Sequence, residues 1–108
     1  THQHQKSVDA YAKALALQPN NPNVLTDQGV MFKELRQFQK ALENFQKASR
    51  LDPKHLQSLF NMGVVYAEDL DQPDKAIESW NRVITTDPSA PLAQQARQAI
   101  QAVRSSRP

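Results

Sequence analysis

The 108-residue chain contains no cysteine and only two glycines, Gly29 and Gly63. The first absence excludes disulfide bonds, thiolate zinc sites and cysteine nucleophiles. The scarcity of glycine excludes a glycine-rich loop that could cradle phosphate groups. No apolar run approaches the roughly 20 residues that a membrane-spanning helix needs. We therefore expect a single small domain without direct membrane insertion.

Charge of one sign is not in large excess either. Thirteen basic and eleven acidic side chains give a net charge of +2 and a pI of about 9.1. Residues 55–88 carry six acidic and two basic side chains, whereas the flanking segments are basic. We interpret these charges as solvated helix faces, with steering of a charged partner as the alternative. RNA binding would rest on the pI alone, so no nucleic-acid partner is predicted.

What the chain does contain is an internal repeat. Asp52-Pro53 recurs as Asp87-Pro88, 35 residues later, and Gly29 recurs as Gly63, 34 residues later. The apolar positions follow the same period, with Ala41, Phe45 and Ala48 matching Ala76, Trp80 and Val83. Apolar residues three and four apart predict two helices per unit and no β-strand. The mid-helix glycines, each costing roughly 1 kcal/mol relative to alanine, indicate a close approach between helices.

These residues resemble the tetratricopeptide repeat, a helix–turn–helix unit of about 34 residues. The resemblance divides the chain into a half-repeat 7–21, full repeats 22–55 and 56–90, and a polar capping helix 91–104, with tails at 1–6 and 105–108. Gln28 stands where the repeat usually has leucine, and the second unit has one extra residue, which we place in the Leu70–Asp74 turn. The implied fold is an all-α, right-handed solenoid of antiparallel helix pairs, with about six helices.

The resemblance also implies a concave groove lined by the first helix of each unit. The expected groove residues are Thr26, Asp27, Val30, Lys33, Gln57, Phe60, Asn61 and Val64. Val30, Phe60 and Val64 would anchor an apolar ligand group, although Phe60 could instead pack against a neighbouring helix. Asn61 matches one position of the carboxylate clamp with which some relatives hold chaperone C-termini. The other clamp positions hold Thr26, Val30, Leu92 and Ala96, which argues against that class of ligand.

No constellation of catalytic residues occurs, so we predict that the chain is not an enzyme and uses neither a cofactor nor a metal. His2 and His4 are read as part of a tail. The acidic segment Asp69, Asp71 and Asp74 lacks the spacing of a calcium loop, and Asp71 is expected to cap a helix.

The predicted function is non-catalytic protein–protein interaction, with a peptide or helix of a partner held in the groove. The alternative is self-association into homo-oligomers through helix 7–17, where Tyr11 and Leu15 lack a covering helix. Because the chain begins at Thr1 and not at methionine, we expect it to be excised or processed. The cytoplasm is the favoured compartment and the periplasm is the alternative.

Overall fold

In this computed structural model, residues 21–106 are described, and they contain five helices and no strand. The helices are α1 (Pro22–Glu34), α2 (Phe38–Leu51), α3 (Leu56–Val64), α4 (Pro73–Thr86) and α5 (Pro91–Ser105), with a π-helical turn (Val65–Asp69) continuing α3. The predicted helix pairs and the capping helix are therefore confirmed. The half-repeat 7–21, with Tyr11 and Leu15, lies outside the described residues, as do His2 and His4.

The helices form two layers. Each helix packs against the next one along the chain, and α3 also contacts both α1 and α5. The odd-numbered helices therefore lie side by side in one layer, with α2 and α4 behind them. Extensive packing between α2 and α4 does not occur. This arrangement is typical of a solenoid, in which each helix pair contacts only its neighbours.

Two side-chain caps set the starts of α1 and α3. The Oδ1 atom of Asn21 accepts hydrogen bonds from the backbone N–H groups of Asn23 and Val24, at 3.0 and 3.2 Å. At α3, the Nδ1 atom of His55 accepts from the backbone N–H of Ser58 at 3.3 Å. These bonds satisfy backbone donors that have no partner within the helix.

The start of α4 differs from our expectation. Its N-cap residue is Gln72, which makes no side-chain capping bond, so the prediction that Asp71 caps this helix is wrong. Asp71 instead has a φ of 51°, and Arg36 has a φ of 62° at the equivalent point of the first unit. Both residues adopt the left-handed conformation that reverses the chain after a helix. The role of Asp71 is therefore to end a helix.

The extra residue of the second unit lies in a helix and not in the following turn. In the first unit, the N–H of Gln37 donates to the carbonyl of Phe32, whereas in the second the N–H of Gln72 donates to the carbonyl of Tyr66, one residue further back. The inserted residue is absorbed by the π-helical turn 65–69, in which the N–H of Leu70 donates to the carbonyl of Val65 at 3.1 Å. The Leu70–Asp74 placement is therefore wrong, because one wide helical turn keeps the inter-helix turn the same length in both units.

The core is built from the aromatic residue of each second helix and the glycine of each first helix. Phe45 is fully buried and Trp80 nearly so. A Cβ atom added to Gly29 would lie 2.5 Å from Cε1 of Phe45, and one added to Gly63 would lie 2.6 Å from Cδ1 of Trp80. No side chain fits in that space. The close approach that the sequence predicted is therefore confirmed in both units.

Gln28, which replaces the usual leucine, has a polar partner. Its side chain is buried, and its Oε1 atom accepts a hydrogen bond of 2.8 Å from Nδ2 of Asn44 on α2. The same Nδ2 lies 3.3 Å from the carbonyl oxygen of Leu25. Because a buried amide is costly only when it is unpaired, the departure at Gln28 is compatible with the fold.

Helix α5 is amphipathic. Ala93, Ala96 and Ile100 are buried in the core cluster, while Gln94, Gln95, Gln98 and Gln101 are exposed. One covered face and one polar face are what the end of a repeat stack requires. None of the five helices combines the length and apolar character needed to span a bilayer.

Candidate binding surface

The eight predicted groove residues lie on two helices that contact each other. Four are on α1 and four are on α3, within the layer formed by the odd-numbered helices. Val30 and Val64 occupy equivalent positions of the two units, 34 residues apart. The structure thus brings two stretches of the chain together on neighbouring helices of one layer.

The apolar part of this surface is half-buried. Val30, Phe60 and Val64 pack partly against the core cluster and retain some exposed surface. The ring centroid of Phe60 lies 6.2 Å from that of Trp80, with an interplanar angle of 40°. This is the separation of a favourable aromatic pair. Phe60 therefore packs against α4 and remains partly exposed, and its role as a ligand anchor stays a prediction.

Two amides flank the apolar residues on α3. The Nε2 atom of Gln57 donates a hydrogen bond of 2.9 Å to Oδ1 of Asn61, one helical turn later. Gln57 is exposed and Asn61 is half-buried. The bond holds the Asn61 oxygen, and the Asn61 Nδ2 donor is left for another acceptor. Hydrogen-bond donors beside an apolar strip are what a peptide backbone would need.

Thr26 is placed differently from our expectation. Its side chain is 3% exposed, and its hydroxyl donates to the carbonyl of Pro22 at 2.8 Å, within the first turn of α1. Its neighbour Asp27 is exposed. Near the start of α1, the Asp27 side chain is therefore exposed, whereas the Thr26 hydroxyl is bonded to the backbone of its own helix.

Lys33 is engaged in an ion pair with a residue that the sequence had not linked to it. Its Nζ atom lies 3.4 Å from Oδ2 of Asp69. That oxygen is buried and accepts no hydrogen bond within the described part of the chain. Asp69 belongs to the π-helical turn that absorbs the extra residue of the second unit. This ion pair therefore joins that turn to α1. Because Lys33 is the only cationic residue in the predicted set, the surface has no unpaired cation among its eight positions.

A second link between α1 and α3 passes through His55. Its Nε2 atom lies 2.7 Å from Oδ1 of Asn23. Since Nδ1 of His55 accepts a hydrogen bond from Ser58, we assign the proton to Nε2, which then donates to Asn23. His55 does not belong to the eight groove residues predicted from the sequence. Its spacing from the start of α1 carries no signal of this contact, which depends on how the two units stack.

No chemistry-bearing cluster accompanies these residues. Within residues 21–106, no three histidine or carboxylate side chains are grouped so that they could hold a metal ion. The surface offers apolar contact, amide donors and acceptors, and the carboxylate of Asp27. Features of these kinds can contact a polypeptide segment.

Comparison with solved structures identifies the same architecture in several proteins. The tetratricopeptide repeat domain of Arabidopsis OM64 is 24% identical with a TM-score of 0.81, and the match covers 94% of this chain and 83% of that one. The TPR2B domain of yeast Sti1, solved in a complex with pHsp70, is 16% identical with a TM-score of 0.88, covering 98% and 86%. PcrH, solved with the chaperone-binding region of PopD, is 15% identical with a TM-score of 0.86, covering 96% and 80%. At these identities the likeness concerns the fold.

No curated protein matches the chain significantly. Two family models, both described as tetratricopeptide repeat, match residues 22–55 and 57–90, which together make up more than half of the chain. Their boundaries agree with the two helix pairs α1–α2 and α3–α4. The chain therefore belongs to the tetratricopeptide repeat family.

Proposed function

We propose that this chain is a non-catalytic interaction module that binds a peptide or a helix of a partner protein on the surface formed by α1 and α3. The observation that carries the proposal is the half-exposed apolar strip of Val30, Phe60 and Val64 beside the amides of Gln57 and Asn61. A few anchors of this kind supply most of the affinity in a typical protein interface.

Structural relatives support an interaction role in general. The first repeat domain of Spaghetti (RPAP3), 20% identical over 97% of this chain with a TM-score of 0.81, was solved with an HSP90 peptide. The domain of Sti1 was solved with pHsp70, and PcrH was solved with part of PopD. Repeat proteins of this kind present extended surfaces that follow the curvature of the helix stack.

The charges on the proposed surface bear on the chemistry of the ligand. Lys33, the one basic residue of the eight predicted positions, is paired with Asp69. Asp27, the one acidic residue among them, is exposed. An acidic segment would find no free cation there, whereas a neutral or basic segment with one large apolar residue would meet no repulsion. We therefore propose a neutral or basic segment that inserts one apolar side chain between Val30 and Phe60.

Peptide-display selection against the full chain tests this proposal. We expect enriched peptides whose affinity falls at least fivefold in Phe60→Ala, which is about 1 kcal/mol. Asn61→Ala, which leaves the Phe60–Trp80 contact in place, should also weaken binding. Leu51→Ala is the matched control, because Leu51 is 41% exposed on α2 and does not belong to the surface.

Two outcomes would contradict the assignment. Peptides that bind the Phe60→Ala and Asn61→Ala variants as tightly as the parent would place the site elsewhere. A folded protein that enriches no peptide would favour self-association through helix 7–17. In that case the mass measured by light scattering should rise with protein concentration.

A further inference from the structure

A cavity lies between α2 and α4, away from the eight predicted groove residues. Its volume is about 320 Å³, and Met62 of α3 and Tyr66 of the π-helical turn line it together with residues of the two flanking helices. The cavity exists where α2 and α4 fail to pack extensively against each other. Its volume falls at the lower end of the range of roughly 300–1,000 Å³ that is typical of ligand sites.

The two units differ in the residues beneath this cavity. In the first unit, Gln28 and Asn44 fill the equivalent positions and bond to each other. In the second unit those positions hold Met62 and Ser79, both of which line the cavity. A serine fills less space than an asparagine, and the Met62 side chain beneath it is 4% exposed. Methionine adapts its shape readily to an apolar group placed on it.

The sides of the cavity are positively charged. Arg50 comes from α2, and Lys75 and Arg82 come from α4, against one acidic residue, Glu78. Lys75 places its ammonium group 5.7 Å from the ring centroid of Tyr66. No ion pair or hydrogen bond joins the guanidinium group of Arg50 or Arg82 to another residue between 21 and 106. Two unpaired arginines thus face one cavity from opposite helices.

We propose that this cavity binds an acidic segment of a protein partner, independently of the surface on α1 and α3. Arg50 and Arg82 hold carboxylates of the segment, because a guanidinium group matches a carboxylate with two parallel hydrogen bonds. An apolar side chain of the same segment contacts the exposed part of Tyr66, beside the buried Met62. Lys75 adds a third positive charge over the ring of Tyr66.

The pattern of charge favours a protein segment over a nucleic acid. Glu43 on α2 and Glu78 on α4 are exposed beside the cationic residues. On each helix an acidic side chain thus interrupts the row of cationic ones, whereas a phosphate backbone follows a continuous positive stripe.

Fluorescence anisotropy with the full chain tests the proposal, using as probe a labelled nine-residue peptide that repeats Glu-Glu-Leu. We expect saturable binding that weakens at least tenfold in the Arg50→Glu, Arg82→Glu double variant. The matched control is Lys54→Glu with Arg104→Glu, which makes the same change in net charge at exposed positions outside the cavity. The control should change the affinity by less than twofold at 0.15 M salt.

Three results would overturn the proposal: no saturable binding to the parent protein, an equal loss of affinity in the control pair, or equal binding of the peptide that repeats Lys-Lys-Leu. Phe60→Ala should leave the affinity for the acidic probe unchanged, so the cavity and the α1–α3 surface are tested separately. If the charge-reversed variant loses its helical circular dichroism, Arg50→Gln with Arg82→Gln takes its place. That variant is expected to weaken binding by the same factor of at least ten.

Discussion

At the scale of single residues, each described repeat holds a glycine of its first helix close against an aromatic ring of its second helix. Gly63 faces the indole of Trp80, whose Nε1 donates to the carbonyl of Phe60 at 3.2 Å. An added methyl group would be forced into the indole and would disturb that hydrogen bond. Helix propensity favours alanine over glycine by roughly 1 kcal/mol, so propensity and packing act in opposite directions here.

Gly63→Ala should therefore lower the free energy of unfolding, by about 1–3 kcal/mol, because the cost of overpacking exceeds the gain in helix propensity. Urea unfolding followed by circular dichroism measures the change. Gln98→Ala is the control, since Gln98 is exposed on α5 and alanine there should be neutral or slightly stabilising. A Gly63→Ala protein as stable as the parent would show that the indole moves away at little cost.

The difference between the two repeats is visible at the scale of a helical element. The π-helical turn 65–69 absorbs one residue, and it also carries Asp69 to its ion pair with Lys33. Everything after the turn then returns to the register of the first unit, with Leu70, Asp71 and Gln72 matching Leu35, Arg36 and Gln37. The first unit makes the same reversal without a wide turn, so the extra residue is dispensable for chain reversal.

Deletion of Glu68, which is exposed, should thus give a folded protein whose free energy of unfolding stays within about 1 kcal/mol of the parent, because an α-helical turn replaces the π-helical one. The control is deletion of Asn81, an exposed residue of α4. That deletion rotates Val83 away from the core relative to Trp80 and should unfold the domain. Circular dichroism at 222 nm and thermal melting distinguish the two. Loss of the fold on deletion of Glu68 would show that the π-helical turn is required for stacking.

The whole molecule has two layers with different chemistry. The layer of odd-numbered helices presents amides and apolar side chains, with its lysine neutralised by Asp69. Between α2 and α4 lies a cavity flanked by unpaired arginines. The two proposed sites therefore lie on opposite sides of the helix stack.

The end of the stack depends on α5, which buries Ala93, Ala96 and Ile100 with the core residues of α4. A chain truncated after Ala90 should melt at a lower temperature and bind a dye that reports exposed apolar surface, because Val83 and Trp80 lose cover. Truncation after Ser105 is the control, since it removes no buried residue of the described part. Equal melting temperatures for the two truncated chains would contradict the capping role of α5.

Much of this architecture follows from local patterns. The prolines at helix starts and the apolar residues at three- and four-residue steps are visible within a short window of sequence, and Gly29 and Gly63 mark the repeat 34 residues apart. A helix needs only such local information, because its backbone hydrogen bonds join residues four apart. The repeat then determined which helices pair, since each unit has to bury its apolar face against its neighbours.

Tertiary structure decided the features that depend on residues far apart in the chain. Hydrogen bonds join Gln28 to Asn44 and His55 to Asn23, and an ion pair joins Lys33 to Asp69. The distances along the chain between these partners do not follow from the helical period or from the repeat. From the sequence, the extra residue could have widened either the helix or the turn between helices. In the structure it widens the end of the helix, at the turn 65–69. The cavity between α2 and α4 has the same origin, because it depends on how far apart two non-consecutive helices are held.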